Sequence, residues 1–148
     1  MRLMKETHHR TIYRVIYGDT DAAAVVYNAN YLRYFEIGRT ELMREKVCSY
    51  HEIHTLGILL PVTECFIRYK AFACYDDLLI IETKLVELKK VSCKFSYRIL
   101  RENTDSSKEQ LIAKGYTVHA AVGRDGKLTR LPADLVLRLQ NLLPQIEN

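Results

Sequence analysis

The chain has 148 residues, 48% of them hydrophobic and 27% charged, with a formal net charge of +4. That length suits one domain, residues 1–148, with a single buried core that needs no disulfide staples. No apolar run approaches the roughly 20 residues of a membrane-spanning helix, and the basic residues are spread out rather than gathered on one face, so neither a membrane span nor a nucleic-acid partner is expected.

The opening MRLMKETHHR carries charge without a following apolar block, so no secretory signal is expected and the cytoplasm is the expected compartment. His8 and His9 are expected in a solvated end. Residues 11 to 17, TIYRVIY, alternate Tyr13, Val15 and Tyr17 against Ile12, Arg14 and Ile16, which predicts a first strand ending at Gly18. From Asn30 to about Val47 the period changes, with Tyr31, Phe35, Gly38 and Leu42 marking one stripe of an amphipathic helix. Gly38 would let that helix approach a sheet closely.

After a loop containing Gly57 and Pro61, four strand-like runs follow at 62–72, 78–88, 91–99 and 111–122. The clearest is VSCKFSYRI, where Val91, Cys93, Phe95, Tyr97 and Ile99 face one way. A turn at GRDG precedes a last helix marked by Leu135, Leu139 and Leu142. Strand, long helix and then four consecutive strands favour an α+β fold, with an antiparallel sheet wrapped against one helix. Such a sheet leaves open edges and apolar surface, so association is expected.

Cys48, Cys65, Cys74 and Cys93 lie far apart with no C-x-x-C pair, which argues against a zinc site and predicts free buried thiols. His51 and His54 can share a helical face, but no third ligand is in view, so no metal is expected. His119 fits a paired core or interface position. G-x-S-x-G, P-loop and G-x-G-x-x-G patterns are missing, which removes serine hydrolases and the familiar phosphate cradles.

The informative stretch is YGDTDAAAVVYNANY, residues 17–31, with Asp19 and Asp21 just ahead of the long helix. Asn28 or Asn30 can cap that helix, and Asp21 stands seven residues before Asn28, too early for the same task. Together with LPVTECFIRYKAFACYDDLLIIET and TVHAAVGRDGKLTRLP, it resembles the signature of hotdog-fold acyl-CoA thioesterases, the 4-hydroxybenzoyl-CoA thioesterase and YbgC-like group. The resemblance covers most of the chain.

It implies a five-stranded antiparallel sheet around a central helix, no cofactor, an acyl-CoA substrate and a homo-oligomer, either a dimer or a dimer of dimers (a homotetramer). Asp21 matches the carboxylate that acts as nucleophile or general base, and Tyr17 an aromatic beside it. The amides near Tyr27 and Asn28 match the donors that polarise the thioester carbonyl. Lys89 and Lys90 lie where related enzymes carry a basic pair for coenzyme A, and Arg68 is a further candidate. Two positions depart from the pattern: Ala24 replaces the usual glycine, and Asn28 the histidine of YbgC-like members.

Elementary chemistry agrees, because hydrolysis builds negative charge on the carbonyl oxygen and helix N-terminal amides stabilise it. Each residue also has a structural reading: an Asx turn at Asp21, a turn role for Asp19, a core aromatic at Tyr17, a cap at Asn28, solvated lysines at 89 and 90. The competing functions are a hotdog enoyl-thioester hydratase and a non-catalytic module binding acyl thioesters or an acyl-carrier protein.

Overall fold

The structure is a computed structural model that describes residues 4–5 and 8–146. Among the described residues, seven strands and three α-helices follow in chain order: β1 Met4–Lys5, β2 His9–Arg14, α1 Asn30–Lys46, α2 Tyr50–Thr55, β3 Val62–Tyr69, β4 Leu78–Leu88, β5 Ser92–Glu102, β6 Glu109–Ala120, α3 Ala133–Gln140 and β7 Gln145–Ile146. Five of the strands make one sheet in the order β2-β4-β5-β6-β3, with every neighbour antiparallel. β1 and β7 pair with each other in a separate ribbon.

Helix α1 packs across the sheet because its apolar residues recur on one side. Tyr31, Tyr34, Phe35, Gly38, Leu42 and Met43 are buried, facing Leu79, Ile81, Leu85, Phe95, Tyr97 and Ile99 of β4 and β5. The Phe35 ring lies flat on Tyr97, 4.2 Å between centroids. Gly38 is the closest approach: a Cβ there would overlap Thr83 Oγ1 and come within 2.6 Å of Ile81 Cγ2. The expected α+β arrangement, a sheet wrapped around a central helix, is what the chain forms.

Several local expectations need correction. The strand expected at 11–17 is β2, which runs from His9 to Arg14 and follows the short β1, and Tyr17–Asp19 form a 3₁₀ turn. Tyr13 and Val15 do face inward, but Tyr17 is 77% exposed and is no core residue. His8 and His9 are half-buried rather than solvated: His9 pairs with Glu45, and His8 lies 4.0 Å from Glu82. The run at 62–72 stops as a strand at Tyr69, because the Lys70 and Ala71 amides both turn onto the Ile112 carbonyl. The segment after α1 contains α2, capped by the Ser49 hydroxyl accepting the Glu52 amide at 3.2 Å.

All four thiols are free, but only Cys48 and Cys93 are buried; Cys65 and Cys74 are exposed. Burial pushes the Cys93 thiol up to about 12, so it stays protonated. His119 is a paired core residue. Its Nδ1 lies 3.0 Å from the Leu60 carbonyl, which only accepts, so Nδ1 carries the proton and Nε2 receives the Thr117 hydroxyl at 2.7 Å. Thr117 in turn accepts from the Tyr97 hydroxyl at 2.6 Å.

Candidate active site

The segment between β2 and α1 folds back on itself as a short hairpin. Tyr27 N–H donates to the Asp19 carbonyl at 2.9 Å, and Asp21 N–H to the Val25 carbonyl at 2.9 Å. Ala24 closes the tip at φ 63°, the left-handed region that favours glycine. Val26 N–H then donates to Ala73 at 2.8 Å, which ties the hairpin to the β3–β4 connection.

A cleft of about 470 Å³ opens beside this hairpin, lined by Asp21, Val25, Val26, Asn28, Tyr31, Tyr69, Lys70, Ala71 and Phe72. Asp21 sits at its rim, exposed, with Oδ1 accepting the Ala23 amide at 2.8 Å. The Asx turn expected as the structural alternative is therefore present, and it orients a carboxylate whose other oxygen points free of that bond. The aromatic wall is built by Tyr31 and Tyr69, edge to face at 5.4 Å, with the Tyr69 hydroxyl donating to the Asn28 carbonyl at 2.9 Å. Burial raises both tyrosines, so they remain neutral donors at physiological pH.

Neither asparagine caps the helix through its side chain. The cap position is Ala29, and the Asn30 amide group instead donates to the Asp19 carbonyl at 2.8 Å. The Tyr27 amide is committed to Asp19, whereas the Asn28 amide has no hydrogen-bond acceptor among the described residues. The positive end of a 17-residue helix thus presents the unbonded Asn28 N–H at the cleft that holds Asp21, alongside the Tyr31 amide, which likewise has no acceptor among the described residues.

The other expected site residues lie apart from this pair. Tyr17 packs on Tyr75, 5.2 Å between ring centroids, outside the cleft lining, and the half-exposed Tyr27 side chain is outside it too. Arg68 precedes Tyr69 on β3 and so projects from the opposite face, over the Phe66 ring at 5.8 Å. Lys89 and Lys90 occupy the β4–β5 turn, and Lys89 is 3.5 Å from Glu87. Cross-strand register aligns that turn with Val62, seven residues and about 23 Å along β3 from Tyr69.

Sequence reasoning passed over a buried polar cluster behind the hairpin. Asp19 is only 2% exposed, and its Oδ2 accepts from Tyr13 Oη at 2.7 Å, Tyr34 Oη at 2.9 Å and the Ile16 amide at 3.3 Å. Burial and the Asp19 carboxylate push Tyr13 up to about 12 and raise Tyr34 further. The available signal was Tyr34 itself, which stands three residues from Tyr31 on the buried stripe of α1 and brings a hydroxyl into the core.

Residues 15–139 match the thioesterase-like superfamily. The chain is 36% identical over 102 residues to the acyl-CoA thioester hydrolase YbgC of Escherichia coli, covering 68% of this chain and 76% of that one. Among solved structures it is similar to a hypothetical protein from Thermus thermophilus, with TM-score 0.83, 28% identity and coverage of 91% and 97%. It also resembles the DHNA-CoA thioesterase of Staphylococcus aureus, with TM-score 0.77, 26% identity and coverage of 84% and 80%.

Proposed function

The chain belongs to the thioesterase-like superfamily, and from that premise we propose that it hydrolyses an acyl-CoA to the free acid and coenzyme A. The observation that carries this reading is the pairing of the Asp21 carboxylate with the open Asn28 amide at one cleft. A thioester carbonyl seated there has its oxygen on the Asn28 N–H, where the helix terminus favours negative charge. Asp21 then either removes a proton from attacking water or attacks the carbon itself, giving a mixed anhydride that water opens. In both routes the C–S bond breaks and the coenzyme A thiolate leaves without needing a strong acid. Among the described residues of one protomer, those lining the cleft include Asp21 and Asn28 but no histidine, and the hydratase reading has no acid–histidine pair to draw on there.

The reaction needs only water and the thioester. Tyr17 serves the site from outside the cleft, by packing the start of the hairpin against Tyr75. For coenzyme A the basic residues are Lys89 and Lys90, with Arg68 second. Leu131 N–H donates to the Lys90 carbonyl at 3.1 Å, so the segment bearing Lys127 and Arg130 adds charge at the same end of the sheet. Because that end lies far from Asp21 in one protomer, the site is completed by association: antiparallel pairing of two β3 edges would bring Lys89 and Lys90 of the partner subunit toward the cleft. A dimer, or a dimer of dimers, follows from this reading, and the cytoplasm is the compartment we propose for it.

Thiol release across a panel of short, long and aromatic acyl-CoAs tests the activity and separates an enzyme from a non-catalytic binder. Asp21→Asn keeps shape but removes the base or nucleophile, so kcat should fall about 10²-fold or more with the fold unchanged. Turnover near that of the unmodified protein would remove Asp21 from the chemistry.

A further inference from the structure

Asp19 and Asp21 stand two residues apart, yet their surroundings are opposite. Asp21 is exposed and bonded only within its own turn, whereas Asp19 is buried and holds together distant parts of the chain. A residue that only forms a turn needs neighbours within three or four positions. Tyr34, however, reaches Asp19 from fifteen residues downstream on α1, and Tyr13 from six residues upstream on β2. A carboxylate at this depth costs several kcal/mol unless its charge is met by donors, so the two hydroxyls and the Ile16 amide are required rather than incidental.

The backbone of the same residue completes the arrangement. The Asp19 carbonyl accepts Tyr27 N–H at 2.9 Å and Asn30 Nδ2 at 2.8 Å. Asp19 is thereby bonded to the strand before the hairpin, to the helix after it, and to both sides of its stem. We propose that Asp19 is a positioning residue for the hydrolytic site: clamped by Tyr13 and Tyr34, it engages the Tyr27 amide, leaves the neighbouring Asn28 amide free to donate, and fixes that donor's distance from the Asp21 carboxylate. Such a clamp acts on geometry, and a displacement near 1 Å at a reacting centre costs on the order of 10²-fold in rate.

The proposal rests on the thioesterase reading, and its test separates the two. Tyr34→Phe removes one donor without changing packing volume, and should lower kcat about tenfold with KM within about twofold. Tyr13→Phe/Tyr34→Phe should lower it about 10²-fold. Because all three donors meet one oxygen, an asparagine can offer its amide oxygen in place of Oδ2 and carries no charge to compensate. Adding Asp19→Asn to the double variant should therefore recover part of the lost kcat, whereas in the unmodified protein Asp19→Asn should lower it.

A purely structural role predicts otherwise. Gly38→Ala, remote from the cleft, supplies the control: at a temperature where it has lost as much stability as Tyr34→Phe, it should keep its kcat. Amide hydrogen exchange gives a second readout that needs no turnover, with Tyr27 exchanging at least about tenfold faster in Tyr34→Phe while Leu42 and the β5 amides keep their protection. Unchanged kcat, an equal loss in the control, or exchange that rises uniformly would each overturn the clamp. If the unmodified protein releases no thiol from any acyl-CoA, the hydrolase reading falls, and the Tyr27 exchange rate alone decides for or against the clamp.

Discussion

At the scale of single residues, the sequence could single out groups by their chemistry but could not say which neighbours folding brings to them. Asp21 and Asn28 are seven positions apart in a recognisable pattern, and the cleft contains both. Asp19 was expected only in a turn, and its burial was not readable, because nothing local says that Tyr13 and Tyr34 converge on it. Tyr17 was misread as a possible core residue because strand alternation was carried past Arg14, where the chain turns. Ala24 illustrates what the backbone adds. At φ 63° its Cβ crowds the following carbonyl at a cost of about 1–2 kcal/mol, partly offset because alanine has less freedom to lose on folding than glycine. Ala24→Gly should therefore leave the fold intact and raise stability by about 0.5–1 kcal/mol, read as a higher denaturant midpoint at unchanged slope. A lower midpoint would mean that the hairpin tip carries no strain.

At the scale of elements, the period of the apolar pattern identified α1, β4, β5 and β6 because each buries one continuous face. Short elements escaped for the converse reason: α2 spans six residues with only Ile53 buried, too few to establish a period. Gly38 was legible as a close contact, and Gly38→Ala should destabilise by about 1–3 kcal/mol in chemical denaturation, since Thr83 and Ile81 must yield to the new methyl. His119 ties β6 to the chain entering β3, and burial lowers its pKa from the ordinary 6.5 to about 4. Between those values the unfolded chain binds a proton that the folded one refuses. The resulting stability is full above pH 6.5 and is lost as pH falls toward 4, about 3 kcal/mol in all. His119→Gln should flatten the stability profile between pH 6.5 and 4; an unaltered slope would show that other groups set it.

At the scale of the whole molecule, the distance between Asp21 and the Lys89/Lys90 turn decides what must happen for one substrate to touch both. Among the described residues the sheet ends at β3, with no strand on its outer edge, and the Val62, Phe66 and Tyr69 side chains are 45%, 41% and 49% exposed. The flank of α1 next to that edge presents Leu32, Arg33, Glu36 and Arg39 around a further groove of about 240 Å³ with Val62, Cys65 and Thr117. An edge and groove of this kind invite a second copy, and a two-fold axis through β3 reverses strand direction, setting the lysine end of one protomer against the aspartate end of the other. Light scattering at micromolar concentration should give at least twice 17.2 kDa, and a stable monomer would dismiss the shared site. The lysines then have a specific signature. Coenzyme A brings phosphates that exposed lysines meet as screened point charges, so Lys89→Ala/Lys90→Ala should raise KM severalfold with kcat nearly unchanged. KM of the unmodified protein should climb more steeply with salt than that of the double variant. An acyl-pantetheine thioester has no nucleotide to read and should be hydrolysed equally by both proteins. Equal weakening of the two substrates would show that Lys89 and Lys90 support the fold of the turn rather than the phosphates.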